Sequence, residues 1–387
     1  MKLLKFLKYL YNNFFLKNRV IKNLYNTKFN KSVLIVYLVS AFNKKKNISH
    51  SNLTECRTFA EIFKEMGYNI DVINLNSTKK IKKQYDVVLG MDVALEQSFL
   101  NKKDSTKHIF YATGACPIYS NMISTKKARD FYLKNKVLLL NSIRKIEYTQ
   151  DFQIFLSDAV IVLGNDFVKN TYLQYDDQKQ RYKNLNAFYF DIINPHISKK
   201  DFGTARKNFI WFGSLGALHK GLDIVIDYFL EHPEYNLYIC GLNTSEKIFL
   251  NFYMSKINNK KNIHLCGFLK IGSIEFNNLV NNCAFALYPS LSEGGSPALL
   301  NIIANGGIIP IHSKQSGIDF DKGFSFELEE NTSIAIGKVV SKIEVMSDNN
   351  IKNMAIECTN YVRSHFTYER YKDNLRNIVK NILNNNL

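Results

Sequence analysis

The sequence predicts an α/β protein with two doubly wound, Rossmann-like domains that face each other across a cleft. Short apolar runs alternate with helical patterns, which is typical of parallel sheets covered by helices. This alternation stops in the segment 191–200, which contains Pro195, and then starts again. The length of 387 residues also fits two domains at roughly 150 residues per domain.

The composition allows a packed core and points to an anionic partner. Hydrophobic residues make up 46% and charged residues 22%, which excludes global disorder, and the formal net charge is +17. So basic a chain favours nucleic acid, a membrane surface or a phosphorylated substrate, or simply carries solvated lysines. No nucleic-acid-binding motif accompanies the charge, so no nucleic acid partner is expected. The six cysteines form no C-x-x-C pair, which favours reduced side chains in the cytoplasm and no zinc site.

The segment 1–31 concentrates basic charge, because the first acidic residue of the chain is Glu55. Lysines recur there at spacings of three and four between apolar and aromatic residues, and they interrupt the apolar stretch that a signal peptide would need. No run reaches the roughly 18 apolar residues of a membrane-spanning helix. We predict a basic amphipathic helix or helix pair that lies on an anionic membrane surface, with packing onto the protein's own core as the alternative.

The first domain is predicted over residues 32–195. Its expected strands cover residues 33–38, 70–74, 86–90, 109–112, 159–163 and 187–193. A helix is expected over 53–66, with Asn52 as N-cap and Glu55 as its reciprocal partner, and a long helix over 125–148. The segment 191–200 is interpreted as the linker between the domains.

The second domain is predicted over residues 200–365. Its expected strands cover residues 209–213, 237–241, 263–267, 284–288 and 308–311. Helices are expected to follow Lys220, Ser245, Ser273 and Ser296, and the last helices to run from about 332 to 383. Because ligands of open α/β sheets bind beyond the carboxyl ends of the strands, two such sheets predict a site in the cleft between domains.

The first motif, residues 209–223, reads as a strand, a glycine-containing loop and the start of a helix. Gly213 and Gly216 let backbone amides approach a ligand closely, and Lys220 stands at the helix N-terminus. An ammonium group at the positive end of a helix favours a bound anion such as a diphosphate. The spacing matches no nucleotide-binding fingerprint, so a solvated lysine is the alternative.

The second motif, residues 284–307, is a buried strand followed by a polar loop and a helix. Ser296 is expected as N-cap and Pro297 as the first helical residue. Gly294 and Gly295 leave amides open to phosphate or sugar oxygens, and Glu293 can accept hydrogen bonds from sugar hydroxyls. An ordinary capped helix with a solvated glutamate is the alternative.

Both motifs, FGSLGALHKGLD and PSLSEGGSPALLNIIANGG, resemble the donor-binding signatures of the bacterial "group 1" family of retaining GT-B glycosyltransferases. The resemblance implies that Lys220 binds the donor diphosphate and that Glu293 holds the hydroxyls of the transferred sugar. It implies backbone contacts from Gly294 and Gly295 and a nucleobase pocket at Gly267 and Phe268. The family's final helix crosses back to the first domain, which this chain would do with residues 366–387.

The chain departs from the family pattern at two positions. Ser214 stands where the family has an arginine, so one cation for the diphosphate is missing, and Asn301 stands where the family has a second glutamate on the ribose. In the first domain, the loop 112–117 carries Cys116 where many members have a histidine; Gly114 of this loop and His50 are expected to contact substrate. His50 is equally well explained as a surface loop residue.

The resemblance implies transfer of a sugar from a nucleotide diphosphate sugar, with retention and without a metal or other cofactor. The basic residues suggest a glycan or lipid-linked acceptor, of surface polysaccharide or lipopolysaccharide type, at the inner face of the cell membrane; beyond segment 1–31 they are Lys126, Lys127, Arg129, Lys134, Lys136, Arg144 and Lys145. The alternatives are a catalytically silent GT-B scaffold at the membrane and a sugar-nucleotide epimerase on the same fold.

Overall fold

The computed structural model describes residues 17–43, 50–320 and 323–384. The first of its two sheets has the strand order β1-β3-β2-β4-β5-β6-β7, and all its neighbouring strands are parallel except β1 and β3. Its strands are β1 (Val20–Ile21), β2 (Lys31–Tyr37), β3 (Tyr68–Asn74), β4 (Val87–Gly90), β5 (Lys107–Ala112), β6 (Ala159–Leu163) and β7 (Tyr182–Leu185). The apolar runs form central strands, as in β6, because every residue there is buried on both faces.

The second sheet is parallel throughout. Its strands are β8 (Asn208–Phe212), β9 (Asn236–Cys240), β10 (Ile263–Gly267), β11 (Phe285–Tyr288), β12 (Ile309–Ser313) and β13 (Phe326–Leu328). They are arranged in the order β10-β9-β8-β11-β12-β13. The connections leave in opposite directions from β8 and β11, so the switch point of this sheet lies between these two strands. The loops that follow β8 and β11 carry the two motifs found in the sequence.

Helices cover both sheets. Those of the first domain are Ser51–Glu65, Asp92–Phe99, Pro117–Asn135, Asp151–Leu156 and Asp166–Leu173. Those of the second half are Phe202–Ala205, Leu222–Glu231, Lys247–Ile257, Ile274–Asn282, Pro297–Gly306, Ser333–Glu344, Asp348–His365 and Tyr368–Asn384. The last helix returns to the first sheet, where the Tyr371 and Tyr111 hydroxyls lie 3.3 Å apart. Of the helices described, none combines the length and the apolar character needed to cross a membrane.

The strand predicted over 187–193 is wrong, since the last strand of the first sheet is β7. The backbone of this segment bonds to side chains of the helix Pro297–Gly306 and not to a neighbouring strand. The Phe190 amide donates to Asn301 Oδ1 (2.9 Å) and the Ile192 amide to Asn305 Oδ1 (3.0 Å). These bonds fasten the segment between the sheets to the second domain.

The long helix predicted over 125–148 is also wrong in its bounds. The helix begins at Pro117 and ends at Asn135, because Lys136 adopts a left-handed conformation with φ of 57° that stops it. Residues 136–150 then run irregularly along the cleft, with one short 3₁₀ turn. This segment carries a residue of the site described below.

The helix predicted from residue 53 begins at Ser51, and its N-cap is His50, not Asn52. The His50 Nδ1 atom accepts the Asn52 amide at 3.4 Å. Glu55 is not a capping partner, because its buried carboxyl accepts the Tyr37 hydroxyl at 3.0 Å.

The helical segment predicted over residues 1–31 is wrong for its described part, while residues 1–16 lie outside the described residues. Residues 20–21 form β1, which pairs antiparallel with β3. The Asn23 amide donates to Asp71 Oδ1 at 2.7 Å, and the Leu24 amide donates to the Ile70 carbonyl at 2.8 Å. The edge of the sheet therefore satisfies the backbone groups that a helix would have bonded internally.

Candidate functional site

Lys220 and Glu293 meet at the switch point of the second sheet. The loop after β8 brings Lys220 and the loop after β11 brings Glu293, and the Lys220 Nζ to Glu293 Oε1 distance is 2.5 Å. The Ser290 hydroxyl donates to the same oxygen at 2.8 Å. The two charged side chains are only 12% and 9% exposed. Lys220 and Glu293, which the sequence predicted from two separate motifs, thus lie in the same crevice.

Arg144 approaches the same carboxylate from the first domain. Its Nη1 atom lies 3.2 Å from Glu293 Oε2, so each oxygen of Glu293 faces a different cation. The arginine side chain is 43% exposed and lines the cleft. No local pattern in the sequence marks Arg144, which was predicted only as one of the basic residues that suggest an acceptor at the membrane. The structure instead places it at the site.

The electrostatics of the cluster keep Glu293 ionised. Burial alone would raise the pKa of Glu293, but the charges of Lys220 and Arg144 outweigh it and lower the pKa to about 2. Burial opposes the charge on Lys220, yet Glu293 raises the pKa of this lysine above its usual range. The site therefore holds one anion and two cations at neutral pH.

His219 ties the two halves of the site together and was missed in the sequence. The Ser124 hydroxyl lies 2.8 Å from His219 Nδ1, and His219 Nε2 lies 2.8 Å from the Ser292 carbonyl. Burial lowers the pKa of His219 to about 4, so the ring is neutral at pH 7. It joins the helix Pro117–Asn135 to the loop of Glu293.

Most amides of the first loop already donate to protein groups. Gly216 and Ala217 donate to the buried Glu246 carboxylate at 2.8 and 3.0 Å. Leu218 and His219 donate to the Ser142 carbonyl at 2.9 and 3.1 Å. The Gly213 amide donates to the Cys240 carbonyl at 3.0 Å. In this conformation the amides of residues 213 and 216–219 are bonded within the protein, whereas the charged side chains at the cleft are available to an anion.

Gly294 lies where the second domain touches the first. A Cβ atom on Gly294 would stand 2.4 Å from the Thr113 carbonyl oxygen and 2.9 Å from that of Leu163. On Gly295 it would stand 2.4 Å from the Cβ of Ala187. These glycines line the cleft, but they also permit close contact between the domains.

Ser296 stands at the N-cap position without capping the helix. Its backbone is left-handed with φ of 43°, no side-chain cap bond forms, and its hydroxyl donates to the Ser316 carbonyl. The capping prediction is therefore wrong for this side chain. Pro297 is the first helical residue, as predicted.

The Asn301 amide, expected near the ribose, is engaged by the protein. Its Oδ1 accepts the Phe190 amide and its Nδ2 donates to the Pro297 carbonyl at 2.7 Å. Asn301 borders the cleft but mainly holds the segment between the domains. The ribose contact stays a prediction that this geometry does not favour.

The cleft measures 1260 Å³ and is lined from both domains. His50 and Ser214 face it, and Phe268 presents a ring that is 86% exposed. Gly267 is exposed directly beside Phe268, with φ of 65°. Gly114 lies in an adjoining cavity of 280 Å³ that shares Thr113 and Arg144 with the cleft. Cys116 is buried and lines neither cavity, and its amide donates to the Thr171 hydroxyl.

No group of three His, Cys, Asp or Glu side chains within residues 17–43, 50–320 and 323–384 is placed to hold a metal ion. The expectation of a metal-independent site stays a prediction.

Two mainly parallel sheets covered by helices, with a cleft between their carboxyl edges, make this chain an α/β protein of the GT-B glycosyltransferase fold. No protein-family model and no curated protein sequence matches the chain.

Solved structures match it over most of its length. The chain is similar to Anabaena HepE in complex with UDP and glucose, with 12% identity, a TM-score of 0.57, and coverage of 90% of this chain and 99% of that one. It is similar to the lipopolysaccharide outer core galactosyltransferase WaaB, with 14% identity, a TM-score of 0.57, and coverage of 91% and 99%. It is also similar to S. aureus TarM, with 13% identity and a TM-score of 0.52. That match covers 77% of this chain but only 55% of TarM. At such identities the likeness shows the fold.

Proposed function

We propose that the protein is a glycosyltransferase that moves a sugar from a nucleotide diphosphate sugar to an acceptor. The observation that carries this proposal is the Lys220–Glu293 pair at the switch point of the second sheet. Ligands of doubly wound sheets bind at that point, and a buried ammonium beside a carboxylate suits a diphosphate joined to a sugar. HepE, which has the same fold, was solved with UDP and glucose.

In the proposed complex the donor lies along the second domain. Lys220 stabilises the negative charge that develops on the departing diphosphate, an effect of about 3 kcal/mol for one well-placed donor. Glu293 accepts hydrogen bonds from hydroxyls of the transferred sugar and fixes its orientation. Phe268, exposed at the cleft, offers a flat surface to the nucleobase next to Gly267. We propose retention at the anomeric carbon on the motif resemblance alone.

The acceptor enters from the first domain, where Gly114 and the side chain of His50 border the cavities. We propose a membrane-associated glycan or lipid-linked acceptor on the cytoplasmic side of the membrane. The basic surplus of +17 and the lysine-rich segment 1–31 support this proposal. WaaB, a lipopolysaccharide outer core galactosyltransferase, shares the fold.

The proposal is tested by thermal shift of the full chain against UDP-, GDP- and ADP-sugars. We expect one donor class to raise the melting temperature, and we expect Lys220→Ala and Glu293→Ala to abolish that shift. The matched control is Lys338→Ala, because Lys338 pairs with Glu329 on an exposed surface. If no nucleotide sugar shifts the wild-type transition, the glycosyltransferase proposal is wrong.

A catalytically silent scaffold on the same fold is the second candidate. Ser214 supplies no charge, and the Glu246 carboxylate occupies the Gly216 and Ala217 amides. Donor binding without turnover, in the presence of membrane extracts that contain acceptors, would favour the scaffold. Turnover of the donor with no acceptor and no membrane would instead favour a sugar-nucleotide epimerase.

A further inference from the structure

We infer that Arg144, contributed by the first domain, is the second cation that binds the diphosphate of the donor bound on the second domain. This inference rests on the proposed function and adds a residue that neither motif contains. Arg144 lies in the irregular segment 136–150, outside the donor-binding sheet.

A diphosphate requires several positive charges or hydrogen-bond donors at its binding site. A nucleotide diphosphate sugar carries two negative charges, and the leaving nucleoside diphosphate gains a further one. The loop after β8 offers one ammonium, on Lys220, and the neutral Ser214. Its amides at 216–219 are bonded to Glu246 and Ser142, so they supply no further donors in this conformation. A second cation from another element would supply the positive charge that this loop lacks.

Arg144 lies next to the loop after β8. The Ser142 carbonyl accepts the amides of Leu218 and His219, which docks the Arg144 segment directly onto the loop after β8. The backbone nitrogen of Arg144 lies 4.0 Å from the point that a Cβ on Gly216 would occupy. The backbone of Arg144 therefore lies beside the loop that carries Ser214, although 70 positions separate Arg144 from Ser214 in the sequence.

The Arg144 guanidinium has donors available for a ligand. Arg144 pairs with Glu293 through one contact of 3.2 Å, and its side chain is 43% exposed and lines the cleft. A guanidinium has five N–H donors, so most remain for phosphate oxygens. Lys220 and Arg144 hold opposite oxygens of Glu293 and so flank it on both sides. A diphosphate beside Glu293 would lie between them.

The chemical step balances with both cations in place. The bond between the anomeric carbon and the diphosphate oxygen breaks, and its electron pair leaves with the diphosphate. The bond from the acceptor oxygen to the anomeric carbon forms, and the acceptor proton passes to the departing diphosphate. Arg144 and Lys220 stabilise the charge on that leaving group. Because Arg144 belongs to the first domain, it reaches the diphosphate only while the domains are in contact.

The test is isothermal titration of the full chain with UDP, GDP and ADP and with the matching monophosphates. We expect Arg144→Gln to weaken binding of the preferred diphosphate by about ten- to a hundredfold, the effect of a lost charge-assisted hydrogen bond. The same substitution should weaken binding of the matching monophosphate by a several-fold smaller factor than it weakens binding of the diphosphate. Arg129→Gln is the matched control, because this substitution removes the same charge from an exposed side chain that pairs with Asp130. It should bind like the wild type.

A second variant separates a charge effect from a folding effect. Ser214→Arg in the Arg144→Gln background returns a guanidinium to the same region and should restore most of the diphosphate affinity. Equal diphosphate binding by the wild type and Arg144→Gln would overturn the inference but leave the proposed function standing. A wild type that binds no nucleoside diphosphate would reject the proposed function and this inference together.

Discussion

Replacing Glu293 with glutamine removes the one anion from a cluster of two cations while keeping the shape of the side chain. Glu293 is 9% exposed, and its pKa is lowered from 4.5 to about 2 by Lys220 and Arg144 against the opposing effect of burial. A difference of about 2.5 pKa units corresponds to about 3 kcal/mol. Because the folded-state pKa is depressed, this stability is present above pH 4.5 and is lost as the pH falls toward 2. We therefore expect Glu293→Gln to lower the free energy of unfolding by about 3 kcal/mol at pH 7.

The assay is urea unfolding followed by the fluorescence of Trp211, the single tryptophan of the chain. Trp211 is buried beside the site, and its Nε1 donates to the Lys220 carbonyl at 3.2 Å. The difference between wild type and variant should shrink to about 2 kcal/mol at pH 3.5. A difference below about 1 kcal/mol at pH 7, or one that does not depend on pH, would refute the electrostatic reasoning.

Three further predictions follow from the packing and the charges. Burial raises the pKa of Glu55 to about 7, so between pH 4.5 and 7 the folded state keeps a proton that the unfolded state loses. The wild type is therefore destabilised as the pH rises through this range, and Glu55→Gln is not. In urea unfolding, the free energy of unfolding of Glu55→Gln relative to the wild type should rise by about 3 kcal/mol from pH 4.5 to pH 8. Gly294→Ala should lower the free energy of unfolding by about 1–3 kcal/mol, because its methyl group meets the Thr113 carbonyl oxygen at 2.4 Å, whereas Gly114→Ala, with its nearest atom at 3.9 Å, should change stability little. Deleting residues 1–16, which leaves β1 on its sheet, should abolish co-sedimentation with anionic liposomes; a truncated chain that still sediments would contradict membrane binding by this segment.

Where the sequence predicted correctly, the determining pattern was local. The run 159–163 is apolar throughout, and it forms β6 with those bounds. Lys220 and Glu293 were found because each follows a buried strand at the start of a helix. Since β8 and β11 are neighbours in a parallel sheet, their following loops come together, although 73 positions separate the two residues.

The features missed in the sequence depend on contacts between distant segments. Arg144 and Glu293 are 149 positions apart, and only the docking of Ser142 onto the loop after β8 brings them together. The segment 187–193 has the apolar side chains of a strand, but its backbone N–H groups donate to the side-chain oxygens of Asn301 and Asn305 instead of to a neighbouring strand. Local propensity cannot anticipate such competition from another domain.

The most direct test of the account is a crystal structure of the full chain with UDP-glucose, or with the nucleotide sugar that gives the largest thermal shift. We predict a diphosphate within about 3 Å of Lys220 Nζ and of the Arg144 guanidinium, with the sugar hydroxyls on Glu293. A donor bound elsewhere in the cleft, with the Lys220–Glu293–Arg144 cluster unchanged, would contradict the account.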